Sequence, residues 1–262
     1  MSLTGKTIKD SYKDILQIDN SNSGISTSVQ VVKDGAGNES ALYLGDDQVR
    51  IVPENDDTTS LLSIRDKDGD TIFNVDTSND LVQALGHNVT TQYAYFGMDA
   101  SNHQGFLANT HYLVAFNNAG LKSGGSNVDF GTGTDPDNTF TTANTATQYA
   151  AQLVLGMWRV PDDITIDSVT HIEGAYGATG DTTRMHLKSF TFNTGSTSCL
   201  TAGALLAHNS DVTNDGNEQA YLSSWTVDSA NVDADKVVCC FWRADSVNSD
   251  YSAQVIVKYH LR

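Results

Sequence analysis

The stretch AQVIVKYHL, Ala253 to Leu261, decides the fold class of this 262-residue chain. All of its odd-numbered residues are apolar, whereas Ile256 is the only apolar residue at an even-numbered position. A period of two places alternate side chains on opposite faces of a β-strand. One face then packs in a core while the other meets water, which is the arrangement of an antiparallel sheet.

Five further stretches in the C-terminal half have the same character. They are rich in β-branched and aromatic residues, which favour strands. They run over Leu153 to Val160, Ile164 to Val169, Arg184 to Phe192, Tyr221 to Val227 and Val237 to Ala244. Together with the last strand they predict an all-β fold, with an antiparallel jelly-roll β-sandwich over residues 87–262. Residues 120–146 are rich in Gly, Asn and Thr and predict a long loop within this domain.

Aromatic residues cluster at the start of this predicted domain, and we expect them in its core. Tyr93 and Tyr95 would share one face of a strand, with Phe96 on the other. The cluster comprises Tyr93, Tyr95, Phe96, Phe106, Tyr112 and Phe116. Trp158, Trp225 and Trp242 are also expected in the core, although exposed tryptophans would stack on sugars.

Residues 25–86 predict a second region, built from short strands between polar turns. The turns include KDGAGN (Lys33 to Asn38) and DKDGD (Asp66 to Asp70), where Gly permits positive φ and Asp initiates turns. Each strand carries few large apolar residues, and so thin a core rarely folds alone. We therefore predict a β stem in which three copies share one axial hydrophobic core.

Residues 1–24 predict an anchoring segment. A short helix is expected from Thr4 to Leu16, with Thr4 as a possible N-cap. Ile8, Tyr12, Ile15 and Leu16 fall on one apolar stripe of that helix. A helix this short is not stable alone. The stripe therefore needs a partner, which is either the core of this chain or another protein.

The composition narrows the choice of partners. The formal net charge is −17, and the acidic residues are spread along the whole chain. Such a surface repels phosphate backbones, so we expect no nucleic-acid binding. No apolar run is long enough for a membrane span, and the start MSLTGKTIKD lacks the apolar core of a secretory signal. Cys199, Cys239 and Cys240 show no disulfide or zinc spacing and predict buried thiols.

No motif for catalysis or cofactor binding is present in the sequence. The GxSxG, GxxxxGK[ST] and HExxH patterns are all missing. DKDGD fails the EF-hand spacing, and paired acids such as Asp162 and Asp163 point apart in a strand. His171 and His186 would be neighbours if their two strands pair, but ordinary polar strand positions explain them better than a metal site. We therefore expect no enzyme activity, no cofactor and no metal.

The N-terminal segment resembles a known class of proteins. GKTIKDSYKDILQ (Gly5 to Gln17) followed by IDNSN (Ile18 to Asn22) is similar to the opening of structural proteins of tailed bacteriophages, especially marine ones. DGDTIFNVD (Asp68 to Asp76) is similar to the turn-and-strand units of phage tail-fibre stems. The spacing of the predicted strands in the C-terminal half is similar to that of the jelly-roll domains at the C-terminal ends of such proteins. The resemblance implies attachment through the N-terminus, a trimeric stem and an outward-facing distal domain, and it transfers no binding residue.

These features predict a non-enzymatic, homotrimeric fibre or spike on a phage virion, made in the host cytoplasm and released by lysis. Ile8, Tyr12, Ile15 and Leu16 would attach it to other virion proteins of the tail or capsid. The jelly roll would face outward and contact a host-surface glycan or receptor. A capsid decoration protein that cements head subunits is the alternative. A carbohydrate-binding module or a glycan hydrolase is a third class.

Overall fold

The computed structural model describes residues 13, 15–18, 20, 23–99, 107–117, 130, 153–176, 179–196, 199–246 and 250–262. Regular structure within these residues is almost entirely β-strand, so the all-β prediction is confirmed. The chain divides into two compact units, Met1–Val89 and Thr90–Arg262. The stem region predicted over residues 25–86 falls within the first unit.

The described part of the first unit contains two four-stranded antiparallel sheets. In each sheet, strands that follow one another in sequence are neighbours, because short turns reverse the chain. The first sheet consists of β1 (Gln17–Ile18), β2 (Gln30–Lys33), β3 (Glu39–Leu44) and β4 (Val49–Ile51). The second consists of β5 (Leu62–Arg65), β6 (Thr71–Asp76), β7 (Leu81–Ala84) and β8 (His87–Asn88).

Two of the predicted turns are confirmed and share one geometry. Asp66 Oδ1 accepts hydrogen bonds from the backbone N–H groups two and four residues later, both at 2.9 Å. Gly69 in this turn has φ of +94°, a conformation that strains residues with a side chain. Asp34 repeats the arrangement at 2.8 and 2.9 Å, with Gly37 at φ +90°. Hydrogen bonds from Asn38 lower the pKa of the Asp34 carboxyl.

One antiparallel twelve-stranded sheet forms the second unit. Its first strands are β9 (Thr91–Asp99), β10 (Tyr112–Phe116), β11 (Trp158–Arg159), β12 (Ile164–Tyr176), β13 (Thr182–Phe192) and β14 (Leu200–His208). The remaining strands are β15 (Val212–Thr213), β16 (Gln219–Ser224), β17 (Thr226–Val227), β18 (Asn231–Val232), β19 (Lys236–Ala244) and β20 (Asp250–Leu261). The main order across the sheet is β16-β12-β20-β9-β10-β19-β13-β14-β17.

This sheet curls into a nearly closed barrel. Strand β10 joins the two parts of the sheet. Its first residues pair with β19, and its last residues pair with β9. The two ends of the order, β16 and β17, are separated in sequence only by Trp225. Because β16 pairs with β12 and β17 pairs with β14, the stretch Gln219–Val227 links both ends of the sheet. The single strand predicted over Tyr221–Val227 is therefore divided at Trp225.

The interior of the barrel holds the main hydrophobic core. Trp158, Trp225 and Trp242 are buried in it, as the sequence predicts. Phe96 and Tyr112 are buried as well, whereas Tyr93 and Tyr95 are exposed on the outer face of β9. The prediction of a core aromatic cluster is thus right for the inward-facing members and wrong for the two outward-facing tyrosines. Phe106 lies outside the described residues.

A second core lies on the outer side of β13 and β19. Phe130 and Leu153 pack there against Phe241, and Phe130 and Phe241 meet edge to face at 4.9 Å between ring centroids. Strand β19 is therefore buried on both faces, with Cys240 in the barrel interior and Cys239 in the second core. The predicted buried thiols are confirmed, and burial raises the pKa of both cysteines. Apart from Phe130, the loop predicted over residues 120–146 lies outside the described residues.

The structure corrects the first predicted strand of the C-terminal half. Only Trp158–Arg159 pair as β11, and a 3-10 turn occupies Val154–Gly156 within the predicted Leu153–Val160. The turn brings Gly156 against Leu113, where an added Cβ would lie 2.4 Å from side-chain carbons. Close packing on β10 therefore overrides the apolar run that favours a strand.

The N-terminal helix prediction is wrong where it can be checked. Most of residues 4–16, including Ile8 and Tyr12, lie outside the described residues. Ile15 and Leu16 at the predicted helix end have no regular structure, and β1 begins directly after them. The apolar residues that complete the helical stripe therefore lead into a strand.

Candidate functional site

The second sheet of the first unit has one apolar and one polar face. Paired residues of antiparallel strands point to the same face. The register pairs Leu62 with Val75 and Val75 with Val82, and in the next row it pairs Ile64 with Phe73 and Phe73 with Ala84. We call these six residues the stem face. None of them is fully buried. The middle row of the opposite face is polar, with Ser63, Asn74 and Gln83, and the next row there pairs Asp76 with Leu81.

The first sheet is equally short of buried apolar surface. Leu42 pairs with Ile51 and Leu44 with Val49, so these side chains share a face. Val49 is 66% exposed. Val32 is the only buried apolar side chain among the described residues of the first unit. The thin core that the sequence predicts for this region is therefore observed in the structure.

The outer face of four barrel strands, β9, β20, β12 and β16, is apolar and uncharged at its centre. One row across it pairs Tyr95, Ile256, Thr170 and Ser224, and the next pairs Gly97, Gln254, Ile172 and Leu222. We call these eight residues the uncharged face. Leu222 is 76% exposed and Ile172 is 47% exposed. Tyr93 flanks this face in the row that also contains Lys258.

A groove of about 690 Å³ lies beyond the uncharged face. Its floor consists of the small residues Gly174, Ala220 and Ser252, which occupy one row of the sheet. A Cβ on Gly174 would lie 3.0 Å from the Ser252 Oγ, so the floor leaves little room for a larger residue. The walls carry Tyr176, Asp99, Glu218, Gln219 and Asp250. The groove therefore combines an exposed aromatic ring with several oxygen acceptors.

A polar cluster lies in the barrel interior next to the point where the sheet closes. His171 Nδ1 accepts a hydrogen bond of 2.7 Å from Trp225 Nε1. Because an indole nitrogen only donates, Nδ1 carries no proton, and the proton of the neutral ring is on Nε2. That atom lies 3.5 Å from Glu173 Oε2, and Thr183 donates a hydrogen bond to the same carboxylate at 2.7 Å. The cluster is fully enclosed, so it fixes the position of Trp225 and has no access to substrate.

A pair of histidines, separate from this cluster, lies on the outer side of β13. His111 and His186 are both fully buried, with ring centroids 5.0 Å apart. Neither ring nitrogen of His186 has a hydrogen-bond partner among the described residues. Burial lowers the pKa of His186 to about 2, and the positive field of His111, Arg184, Lys188 and His208 acts in the same direction. His186 is therefore neutral throughout the physiological range.

The structure does not bring the predicted site residues together. Ile8 and Tyr12 lie outside the described residues, and Ile15 and Leu16 are both exposed. His171 and His186 are on β12 and β13, which are not paired, and they belong to separate clusters. The idea that these two histidines are neighbours is therefore wrong. Within the described ranges, no group of three or more His, Cys, Asp or Glu side chains is placed to hold a metal ion.

Sequence reasoning missed the uncharged face and the groove. One signal for the face was present, because Ile256 breaks the alternation of the last strand and points outward onto it. The other members come from β9, β12 and β16, and only the register brings them together. The interior cluster also had a signal. His171 and Glu173 are two residues apart and so share one face of a strand.

Comparisons with known proteins give no family for this chain. No protein-family model matches it, and no curated protein matches it. Among solved structures, the Eiger TNF of S. frugiperda aligns with 66% of this chain and 94% of its own length. The identity is 10% and the TM-score is 0.30. In the part of the chain that the structure describes, no helix is long and apolar enough to cross a membrane.

Proposed function

We propose that this chain is a non-enzymatic structural component of a tailed-phage virion. It is a homotrimeric fibre or spike whose N-terminal segment, with Ile8, Tyr12, Ile15 and Leu16, attaches to other virion proteins. The barrel unit is a jelly-roll domain that faces away from the particle. The likeness of Gly5–Asn22 to the opening of phage structural proteins supports the attachment.

The stem face is the observation that carries the proposal. Six apolar side chains lie on one side of three strands of this sheet, and the rest of the chain leaves each of them at least partly exposed. An apolar sheet face left in water invites association, and a small unit with so little core needs a partner to be stable. Three copies that turn their stem faces toward a common axis supply one another with that core. The polar face, with Asn74 and Gln83, then remains in water.

The purified full chain should sediment at three times 28.2 kDa. An antibody raised against it should label the tail of the phage that encodes it. Labelling of the head would favour the capsid decoration protein instead. A monomer at all concentrations would contradict both assignments, because each relies on shared stem faces.

The groove is the place where the outward-facing domain contacts the host surface. A concave site with one aromatic ring and a few oriented polar groups suits a small polar ligand. Tyr176 supplies a ring that is 57% exposed, and the Glu218 carboxylate supplies an acceptor for hydroxyl groups. The carboxylates of the walls repel acidic sugars, so the ligand class is a neutral or amino-substituted glycan.

Tyr176→Ala and Glu218→Gln should each weaken binding of the assembled protein to host cells by about tenfold or more, as expected for central contacts of a binding site. Binding of fluorescently labelled protein to cells measures this loss. Phe192→Ala, which removes an exposed aromatic ring outside the groove, is the matched control and should bind normally. Equal binding by all three variants would remove the groove from host contact. Release of sugar by the wild-type protein, abolished in Glu218→Gln, would indicate a glycan hydrolase.

A further inference from the structure

We propose that a second copy of this chain covers the uncharged face, so that the barrels as well as the stems are in contact within the assembly. The inference rests on the proposed function and names one more partner surface. It concerns the outer side of β9, β20, β12 and β16, where Ile172 and Leu222 are the most exposed aliphatic residues.

The net negative charge of the chain favours contact between copies at the uncharged face and disfavours contact on the charged surface around it. With 32 acidic and 15 basic residues, two copies repel one another over most of their surfaces. The two central rows of the uncharged face contain no charged residue across four strands. Contact there removes no carboxylate from water, which is the costly step in burying an acidic surface. The acidic wall of the groove, with Asp99 and Glu218, marks where the contact ends.

The shape of the face also fits a protein surface. Three strand spacings separate β9 from β16, so the face is about 14 Å wide. It is the surface of a sheet, whereas small ligands prefer concave sites such as the adjoining groove. Apolar side chains from all four strands form one patch, in which the half-buried Ile256 lies between exposed Tyr95 and Ile172, and Ile172 pairs with Leu222. A contiguous patch of this kind marks a macromolecular contact.

A short stretch of chain tethers each barrel to its own stem sheet. The Val89 N–H donates a 3.0 Å hydrogen bond to the Val82 carbonyl oxygen, so Val89 continues the sheet that carries the stem face. Tyr93 follows four residues later, which is at most about 14 Å of chain. Copies joined through their stems therefore hold their barrels at millimolar effective concentration, roughly as a short linker does. At that concentration a contact with a dissociation constant of about 10 μM is almost fully occupied.

Two measurements on the full chain test the inference. The first is modification of surface tyrosines in the assembled wild-type protein, followed by mass spectrometry. Tyr93 and Tyr95 are exposed in the single chain, so their protection reports coverage of the face. Tyr176 in the groove is the internal reference and should stay reactive. The measurement needs no substitution and is independent of folding defects.

The second measurement is the concentration dependence of the sedimentation mass. Leu222→Asp should raise the dissociation constant of the assembly about 30-fold or more, because charging the most exposed apolar residue of the contact has an effect of hot-spot size. Leu222 is mostly exposed, so the substitution should leave the barrel folded, as near-UV circular dichroism will verify. Thr213→Asp adds the same charge to an exposed strand residue outside the face and should leave the dissociation constant unchanged.

Each outcome decides a separate point. Protection of Tyr93 and Tyr95 together with weakening by Leu222→Asp supports the inference. A stable oligomer in which these tyrosines react as fast as Tyr176 overturns it, and then another partner covers the face. That result leaves the shared stem intact. A wild-type chain that is monomeric at every concentration overturns the proposed function and, with it, this inference.

Discussion

Val82→Asp should shift the assembled chain toward a species of 28.2 kDa, whereas Gln83→Asp should leave its mass unchanged. Val82 pairs with Val75 at the centre of the stem face, and Gln83 is the next residue on the opposite, polar face. The two variants therefore add the same charge one residue apart on opposite sides of one strand. Only the first places three carboxylates against one another in the shared apolar core.

The expected size of this effect follows from the environment of the introduced charge. An unpaired carboxylate in an apolar interface costs roughly 3–5 kcal/mol per site, so the assembly constant should fall by at least about 1,000-fold. Sedimentation equilibrium over a range of concentrations measures it. Equal masses for Val82→Asp and the wild-type protein would show that the stem face does not hold the copies together. A loss of assembly in Gln83→Asp would assign the contact to the other face.

Acid should destabilise the barrel through His186. Burial lowers the pKa of this histidine from 6.5 to about 2, so the folded chain keeps it neutral while the unfolded chain binds a proton near pH 6.5. The contribution of neutral His186 to the free energy of unfolding is complete above pH 6.5 and decreases as the pH falls from 6.5 toward 2. The slope for one such group is about 1.4 kcal/mol per pH unit. At pH 4.5 the loss should be roughly 3 kcal/mol.

Urea unfolding at pH 7.5, 5.5 and 4.5, followed by tryptophan fluorescence, measures this dependence in the barrel. All three tryptophans are buried there, so their emission reports this unit alone. The His186→Gln variant should lack the part of the pH dependence that His186 causes. Its free energy of unfolding should therefore fall less steeply as the pH is lowered. His87→Gln, at an exposed histidine of the first unit, should keep the wild-type slope. Identical slopes for wild type and His186→Gln would show that the folded chain accommodates the charged imidazole.

The local features of the fold follow from local sequence. The alternation over Ala253–Leu261 matches β20, and the Asp and Gly of DKDGD form the turn between β5 and β6. The helical stripe ending at Leu16 was misleading because a spacing of three and four residues over so short a segment does not exclude an extended chain. The division at Trp225 depends on β12 and β14, which lie on either side of it only in the folded barrel.

The candidate site was less accessible to sequence reasoning than the strands that carry it. Ile172 and Leu222 meet because their strands pair in one register, and a shift of β16 by one residue would turn Leu222 inward. The groove floor depends on Gly174, which looks like any turn residue until its neighbour Ser252 is known. The stem face, by contrast, lies within one short stretch of consecutive hairpins. Its apolar alternation and its poor burial were both predictable.

The linkage of both barrel ends by Gln219–Val227 decides where unwanted aggregation begins. A free outer strand offers a row of backbone donors and acceptors to which another chain can add. In the barrel, the two strands that end the sheet, β16 and β17, are continuous with each other, and the main hydrophobic core holds them against the rest of the sheet. The sheets of the first unit end in β1, β4, β5 and β8, which have one paired side each. Domain swapping and amyloid-like growth on heating should therefore start in the first ninety residues, while the barrel stays intact.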